Sequence, residues 1–443
     1  LDKRTAAIKG IHSLQDWQGR QQYIRKSLQD LAGPFPPKTA LNAKTVRTIN
    51  KEGYRIEHVI YESQPGFFVT ASLYIPNGQP KKKMPAIIYC SGHANEGYRS
   101  TVYQHVILNL VKKGFIVFAF DPVGQGERLE YFDAAKGKSA VGGPVDEHSY
   151  AGAQAFMAGS SQARYMIWDG IRAVDYLLTR KEVDAQRIGI TGRSGGGTQS
   201  AFIAAFDERI KAAAPECYIT SLTRIFQSIG PQDAEQNMGN AVVRGIDHAD
   251  LLLVRAPKPA LMITTTRDFF SIEGARETAK EVSRIYKAYS KEGNFGMVED
   301  DAPHASTKKN REAMYAFFQK HLNNPGNTND EATDTLTAEE LQVTKTGQIA
   351  TSLKSETVFS LNRKYAEQLE QRLQTSRSDL SRHLINAVQS ARKLSGYRPP
   401  LQTHEPVFTG RFQKDGYTIE KYFLQGEGSC LIPYLLLKPD QPS

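Results

Sequence analysis

The chain has 443 residues, 40% of them hydrophobic, so it can bury a large core and can hold more than one domain. No apolar run approaches the roughly 20 residues of a membrane-spanning helix, and three cysteines are too few for a disulfide framework. The net charge of +9 is spread along the chain with no visible nucleic-acid-binding module, which argues against a nucleic-acid partner.

A helix and a β-hairpin are predicted first. Apolar residues recur at helical spacing over residues 17–31, and a glycine and a proline-rich stretch follow them. Residues 54–61 and 67–74 have the composition of two antiparallel strands, with a Pro-Gly turn between them. We assign residues 1–40 to an N-terminal helical segment and residues 41–325 to a catalytic domain.

Two buried strands are predicted next, at residues 85–90 and 115–120. The first leads into Gly92 and His93, where a loop amide would help to bind an oxyanion; the His93 side chain is alternatively a second base. The second leads into a glycine-rich turn that ends at Arg128, a candidate substrate contact. This turn is not a phosphate-binding loop, because no Lys-Ser/Thr pair follows it.

The most informative motif is G-x-S-x-G at residues 192–196, between a short apolar strand and a helix-compatible stretch at residues 198–206. A serine on such a sharp turn exposes its hydroxyl, so Ser194 is the candidate nucleophile and the amide of Gly195 is the second oxyanion donor. Arg193 either makes a structural ion pair or contacts a sugar hydroxyl or a uronate carboxylate. The competing interpretation of the motif is an ordinary glycine-rich turn into a helix.

Two more strands supply a candidate acid and base. Residues 260–266 precede Asp268, and residues 294–299 precede His304. The order serine, acid, histidine is typical of one class of serine hydrolases. Ser194 would attack an ester carbonyl, His304 would take its proton, and Asp268 would fix the tautomer of the imidazole.

Other acids compete with Asp268 for this role. Glu299, Asp300 and Asp301 are close to His304 in sequence. We prefer Asp268, because the loop after a separate strand gives the usual geometry of the three groups. Residues 221–250 are expected to form a cap over the cleft.

The region after the catalytic domain begins with a polar Pro/Gly/Asn-rich stretch, residues 326–337, which we predict to be a linker. Residues 338–396 are predicted to be mainly helical, and their apolar face indicates core packing rather than a cofactor surface.

Residues 397–443 look like the start of a second copy of the N-terminal pattern. Matching residues are separated by one constant, gapless offset of 363: Gly33 and Gly396, Lys51 and Lys414, Pro76 and Pro439. A helix, a hairpin and the closing proline all keep this register, which favours a tandem duplication over a chance similarity of hairpins. A truncated copy would have to pack on the complete domain or on another chain, or be poorly ordered.

Four segments together resemble an α/β-hydrolase of the acetyl xylan esterase-like group: residues 120–128, 187–199, 266–276 and 300–304. The resemblance covers about residues 15–325. It implies a mostly parallel central sheet with helices on both faces, no metal or other cofactor, and ester hydrolysis on plant or algal polysaccharides. It also implies a secreted or periplasmic bacterial protein, and the first residue, which is not methionine, fits a removed leader.

The chain departs from two subgroups that the resemblance includes. The cephalosporin-C deacetylase type has an H-G-Y turn where this chain has Ser91-Gly92-His93, and glucuronoyl esterases place an arginine after the serine, where Gly195 stands here. We therefore expect a serine carboxylic-ester hydrolase that deacetylates a polysaccharide such as xylan, with a uronate methyl-ester esterase as the alternative. A serine peptidase of the prolyl oligopeptidase type is a further alternative, because it shares the three groups, although the lack of a propeller-like run of strands before the catalytic region argues against it. A catalytically inactive glycan-binding protein conflicts with the intact set of three groups.

Overall fold

The computed structural model describes residues 1–78, 83–230, 232–399, 404–426 and 428–441. The chain divides into two compact units, residues 1–366 and residues 367–443. Among the described residues, none of the helices has the length and apolar character needed to span a membrane.

The first unit is built on a nine-stranded sheet with the order β1-β2-β3-β5-β4-β8-β9-β10-β11. The strands β1 to β3 and the pairing of β3 with β5 are antiparallel, and all later pairings in the sheet are parallel. This mostly parallel sheet confirms the predicted α/β-hydrolase class. The strands are β1 Lys44–Lys51, β2 Tyr54–Gln64, β3 Phe67–Pro76, β4 Met84–Cys90, β5 Ile116–Phe120, β6 Phe132–Asp133, β7 Lys138–Ser139, β8 Val183–Arg193, β9 Ala212–Glu216, β10 Ala260–Thr265, β11 Phe295–Asp300, β12 Val407–Lys414, β13 Tyr417–Gln425 and β14 Leu431–Pro439.

Helices cover both faces of this sheet, as the side chains of β4 illustrate. Ile87 packs in the cluster that contains α3 and α10, whereas its neighbour Ile88 packs in the cluster that contains α5 and α6. Because successive side chains of a strand point to opposite faces, a strand buried on both sides reads as one apolar run. The helices are α1 Asp2–Lys9, α2 Leu14–Ala32, α3 Thr101–Lys112, α4 Pro144–Met157, α5 Gln162–Thr179, α6 Gly195–Phe206, α7 Leu222–Gln227, α8 His248–Leu253, α9 Ile272–Ala288, α10 Lys308–His321, α11 Ile349–Leu353, α12 Val358–Ser376 and α13 Leu380–Ser395.

The N-terminal helices belong to the core of the first unit. Helix α2 begins with a capping box between Ser13 and Asp16, and buries Ile24 and Leu28. Arg4 of α1 is buried and pairs with Asp250 at 2.9 Å. Residues 1–40 are therefore an integral part of the catalytic unit, not a separate domain.

The predicted linker, residues 326–337, was wrong as a linker, because it is packed against the catalytic unit. The carboxylate of Asp330 accepts hydrogen bonds from Arg311 and Tyr315, and Leu336 is buried in the core. A polar composition can indicate either a solvent-exposed segment or one that is held by specific ion pairs, and here Asp330 is paired. The boundary between the two units lies instead within α12.

The second unit reproduces the start of the first. Strands β12 to β14 form an antiparallel sheet, and the pairing of Tyr417 with Pro439 matches that of Tyr54 with Pro76. The hairpin expected from the sequence is thus a three-stranded sheet, because each copy has an additional, mostly exposed strand, β1 or β12, that the sequence pattern did not indicate. The tandem duplication itself stays a prediction.

Candidate active site

Ser194 lies at the sharp turn between β8 and α6, as predicted. Its backbone angles are φ 62° and ψ −124°, a conformation that non-glycine residues rarely adopt. The N–H of Ser194 donates a 2.9 Å hydrogen bond to the carbonyl oxygen of Glu216, which fixes the turn to the end of β9. Such strain is maintained only where the surrounding structure enforces it, and it concentrates at functional sites.

The two glycines of the motif are needed because the turn touches β4. A Cβ atom on either Gly192 or Gly196 would lie 2.1 Å from the carbonyl oxygen of Cys90, closer than any real Cβ contact. A Cβ atom on Gly197 would lie 2.4 Å from the carbonyl oxygen of Glu216. Backbone atoms cannot move aside as a flexible side chain can, so this turn requires all three glycines.

The loop after β4 passes directly over the nucleophile. A Cβ atom on Gly92 would lie 2.5 Å from the carbonyl oxygen of Arg193 and 3.2 Å from the Cβ atom of Ser194. A Cβ atom on Gly195 would lie 3.0 Å from Cε1 of His93, so the imidazole of His93 covers Gly195. The structure thus brings the predicted oxyanion residues together around Ser194.

Asp268 and His304 form a close pair. Nδ1 of His304 lies 2.9 Å from each carboxylate oxygen of Asp268. The Thr265 hydroxyl and the Phe270 N–H also donate to this carboxylate, at 3.2 and 3.0 Å. Because a carboxylate only accepts, we assign the proton to Nδ1, which leaves Nε2 as an acceptor. The ring of Phe269 lies 4.4 Å from the imidazole and restricts its orientation further.

The three competing acids are engaged elsewhere. Each has a basic side chain as its nearest ion-pair partner: Arg276 for Glu299 at 2.9 Å, Lys309 for Asp300 at 3.9 Å, and Arg267 for Asp301 at 3.0 Å. Of the four candidate acids, Asp268 is the one that contacts His304. The choice made from the sequence therefore agrees with this geometry.

The serine and the histidine–aspartate pair lie at the same edge of the sheet. Arg193, the last residue of β8, pairs in register with Glu216, the last residue of β9. Cys217 follows, and its sulfur groups with ligand-type atoms of Asp268 and His304, all within 4.8 Å of one another. The nucleophile turn and the imidazole thus both lie near the end of β9.

Glu216, the last residue of β9, is a buried acid beside the site. Burial raises the pKa of its carboxyl to about 7, although the nearby Ser306 hydroxyl and the charge of Arg193 oppose this rise. Arg193 itself lies over the ring of Tyr103, 5.5 Å from its centroid. These contacts support the structural role of Arg193, and its contact with a substrate stays a prediction.

Arg128 is not in the cleft, and its assignment as a substrate contact was wrong. The side chain is 1% exposed, and its guanidinium donates to Asp169 and to the carbonyl oxygen of Asp121, both at 2.8 Å. It also lies over the ring of Phe67. The glycine-rich turn before it correctly predicted a loop at this sheet edge, but the arginine points into the interior.

The predicted cap, residues 221–250, contributes a residue that the sequence did not reveal. A short 3-10 helix, Ala234–Gln236, places the carboxylate of Glu235 between His93 and His148 of α4. The three residues are far apart in the chain and have no motif spacing, so no sequence signal could have grouped them.

Comparison with known proteins gives two family matches. The family model of acetyl xylan esterase (AXE1) matches residues 18–240, and that of the prolyl oligopeptidase family matches residues 157–325. A Bacillus subtilis (strain 168) protein named "Putative hydrolase YtaP" is 24% identical over 321 residues, which cover 67% of this chain and 98% of that protein.

Solved structures share the fold. A structure named "Methylesterase BT1017" has a TM-score of 0.64 at 22% identity, covering 83% of this chain and 78% of the other. A glucuronoyl esterase from Solibacter usitatus has a TM-score of 0.51 at 14% identity, covering 70% of this chain and 94% of the other.

Proposed function

This chain belongs to the acetyl xylan esterase family, and we propose that it is a serine carboxylic-ester hydrolase that removes acetyl groups from a polysaccharide such as xylan. The observation that carries the proposal is the pairing of His304 with Asp268 at the sheet edge where Ser194 occupies a strained turn. This combination supplies a nucleophile, a base and an orienting acid in one place.

The proposed reaction has two stages. In the first, the Ser194 hydroxyl attacks the ester carbonyl while Nε2 of His304 accepts its proton, and the backbone amides of Gly195 and the Gly92–His93 loop stabilise the oxyanion. The sugar alcohol leaves with the proton from His304. In the second stage, water attacks the acyl-enzyme, again with His304 as base, and acetate is released. Asp268 holds the imidazole in the reactive tautomer and stabilises its cation.

A uronate methyl-ester esterase is the second candidate. The likeness in fold to a structure named as a methylesterase favours it, and so does Arg193 beside the nucleophile, which would contact a uronate carboxylate. Arg193→Ala should then lower kcat/KM for uronate methyl esters more than for acetyl esters. An equal loss on both substrates would assign Arg193 to a structural role.

A prolyl oligopeptidase-type activity has less support. The match to that family covers residues 157–325, the part of the fold that contains the three proposed catalytic groups. Among the described strands that precede this part, β1 to β5 belong to the central sheet, and the two-residue strands β6 and β7 pair only with each other, so these strands do not form a propeller.

A substrate panel tests the proposal. Acetylated xylan, methyl-esterified pectin, methyl glucuronate and a proline-containing peptide are incubated with the protein, and acetate, methanol and new amines are measured. We expect acetate from xylan, and no release by Ser194→Ala, which removes only one hydroxyl. Turnover by Ser194→Ala at the wild-type rate would overturn the mechanism, and methanol release without acetate would make the methyl-ester alternative correct.

We also propose that the protein acts outside the cytoplasm. A polysaccharide such as xylan is too large to enter a cell before it is degraded, which supports export. Fractionation of the producing cells should find the protein in the medium or the periplasm, and its recovery in the cytoplasm alone would refute this.

A further inference from the structure

The side chains of His93, His148 and Glu235 converge beside the candidate active site. Nε2 of His93 lies 2.9 Å from Oε1 of Glu235, and Nδ1 of His148 lies 3.1 Å from Oε2. The two ring nitrogens are 3.2 Å apart. His148 and Glu235 are almost fully buried, and the side chain of His93 is 17% exposed. Three metal-ligating atoms therefore face one another in the interior.

The contacts within this cluster need one more proton or cation than two neutral histidines supply. Nε2 of His148 lies 2.7 Å from the carbonyl oxygen of Val123, which only accepts, so that nitrogen carries the proton. In a neutral His148 the lone pair of Nδ1 then faces the Glu235 carboxylate and Nε2 of His93. A single proton on His93 can satisfy only one of these contacts. Either an additional proton or a cation must lie between the three groups.

The surrounding backbone is shaped to hold the three side chains in place. Gly124, with φ +76°, lets the loop that carries the Val123 carbonyl lie against α4; a Cβ atom there would be 3.2 Å from Cδ2 of His148 and 2.8 Å from Cβ of Glu147. Gly152 of α4 lets the 3-10 helix that carries Glu235 approach, since a Cβ atom there would be 2.4 Å from that of Ala234. Two close contacts thus position the ligands from outside.

We propose that His93, His148 and Glu235 bind a divalent cation of the zinc class. Two histidines and one glutamate are a ligand set that zinc uses in proteins, and tetrahedral bonds of 2.0–2.2 Å place ligand atoms about 3.3 Å apart. The two ring nitrogens are 3.2 Å apart, close to this value. The 2.9 and 3.1 Å separations run to different oxygens of Glu235, and with one ligand atom from each residue all three atoms lie within 4.8 Å of one another, so a small rotation of the carboxylate completes the set. The bond from His148 to Val123 is the outer contact that typically orients a metal-bound imidazole.

The bound ion would join three separate parts of the catalytic unit. His93 comes from the oxyanion loop, His148 from α4, and Glu235 from the cap. Because the His93 ring covers Gly195, the ion would fix the loop that lies against the nucleophile and anchor the cap beside it. This role is independent of the ester that the enzyme cleaves.

Metal binding to the intact chain tests the inference directly. The protein is stripped with a chelator and titrated with Zn²⁺ alone in a calorimeter, and bound zinc is then counted by mass spectrometry. We expect one ion per chain in the wild type and a rise in Tm with Zn²⁺. Glu235→Gln keeps the shape but removes the charge, and should weaken binding by at least about 100-fold, beyond the loss of an outer contact.

A second variant separates this site from the other candidate ligand group, Cys217, Asp268 and His304. His304→Ala should keep the zinc stoichiometry, although it loses esterase activity if the proposed function is right. With Co²⁺ in place of Zn²⁺, the expected spectrum has d–d bands without thiolate charge transfer. Zinc binding that survives Glu235→Gln but not His304→Ala would overturn the inference, and so would a wild type that binds no ion, which would assign a shared proton to the cluster.

Discussion

Replacement of Asp268 by asparagine should abolish most of the activity while leaving the fold intact. The carboxylate accepts from the Phe270 N–H at 3.0 Å and from the Thr265 hydroxyl at 3.2 Å, in addition to Nδ1 of His304. An asparagine can keep its single oxygen on the Phe270 N–H only if its amide nitrogen turns toward His304. Nδ1 must then accept, the proton moves to Nε2, and His304 can no longer take a proton from Ser194.

The expected size of the loss follows from this change of tautomer. The equivalent change in a serine protease lowers kcat about 10⁴-fold. At 1.36 kcal/mol per tenfold, this is about 5.4 kcal/mol of lost transition-state stabilisation. Hydrolysis of p-nitrophenyl acetate measures kcat, and thermal unfolding checks that Tm is retained.

Asp301→Asn is the matched control. Its carboxylate is 78% exposed and contacts Thr266 and Arg267, so kcat should stay near that of the wild type. A decrease in kcat of less than about tenfold in Asp268→Asn, or a loss of activity in Asp301→Asn instead, would refute the assignment of Asp268 as the orienting acid.

Three further predictions concern stability. Gly192→Ala should lower the free energy of unfolding by about 1–3 kcal/mol or more, since the new Cβ would lie 2.1 Å from a carbonyl oxygen of β4. Gly293→Ala, where a Cβ meets open space, should cost little, and equal Tm values for the two variants would contradict the prediction. Arg128→Ala should cost about 3–5 kcal/mol by leaving Asp169 buried without its partner, while KM stays unchanged if the residue lies outside the cleft. Folding raises the pKa of Glu216 from 4.5 to about 7, so its protonated carboxyl stabilises the fold fully below about pH 4.5, and this stabilisation is lost as pH rises through about 7. In urea unfolding, the free energy of unfolding of the wild type should fall by up to about 3 kcal/mol over this range, and that of Glu216→Gln should not. Parallel pH profiles of the two proteins would refute this prediction.

The proposed catalytic residues were predictable because each belongs to a local sequence pattern. A serine between glycines indicates a sharp turn, and Asp268 and His304 each follow a strand of the parallel part of the sheet, the buried β10 and its edge neighbour β11. Parallel strands end at a common edge, so the topology alone brings their loops together. Sequence could not give the 2.9 Å contact between Asp268 and His304, but it could give the loops that carry them.

What sequence reasoning missed are side chains whose partners are distant and unpatterned. The glycine-rich turn before Arg128 allows its side chain to point either into the cleft or into the interior, and the ion pair with the buried Asp169 on α5 holds it in the interior. Glu235 and His148 meet because two glycines allow close backbone contact, which no local periodicity encodes. Asp330 was predicted to be part of a linker because the sequence does not show that it forms an ion pair with Arg311.

The predicted repeat is supported by a register shift that occurs at the same place in both hairpins. The pairing of β1 with β2 shifts register between Thr45 and Arg47, and that of β12 with β13 shifts between Phe408 and Gly410, 363 residues later at both positions. Hairpins can share turns and alternation by convergence, but an extra residue at the same place has no such cause. Strand β3 pairs with β2 on one edge and with β5 on the other. The edge of β14 that corresponds to the β5 side of β3 is unpaired among the described residues of the second unit, so another segment or chain would add a strand there.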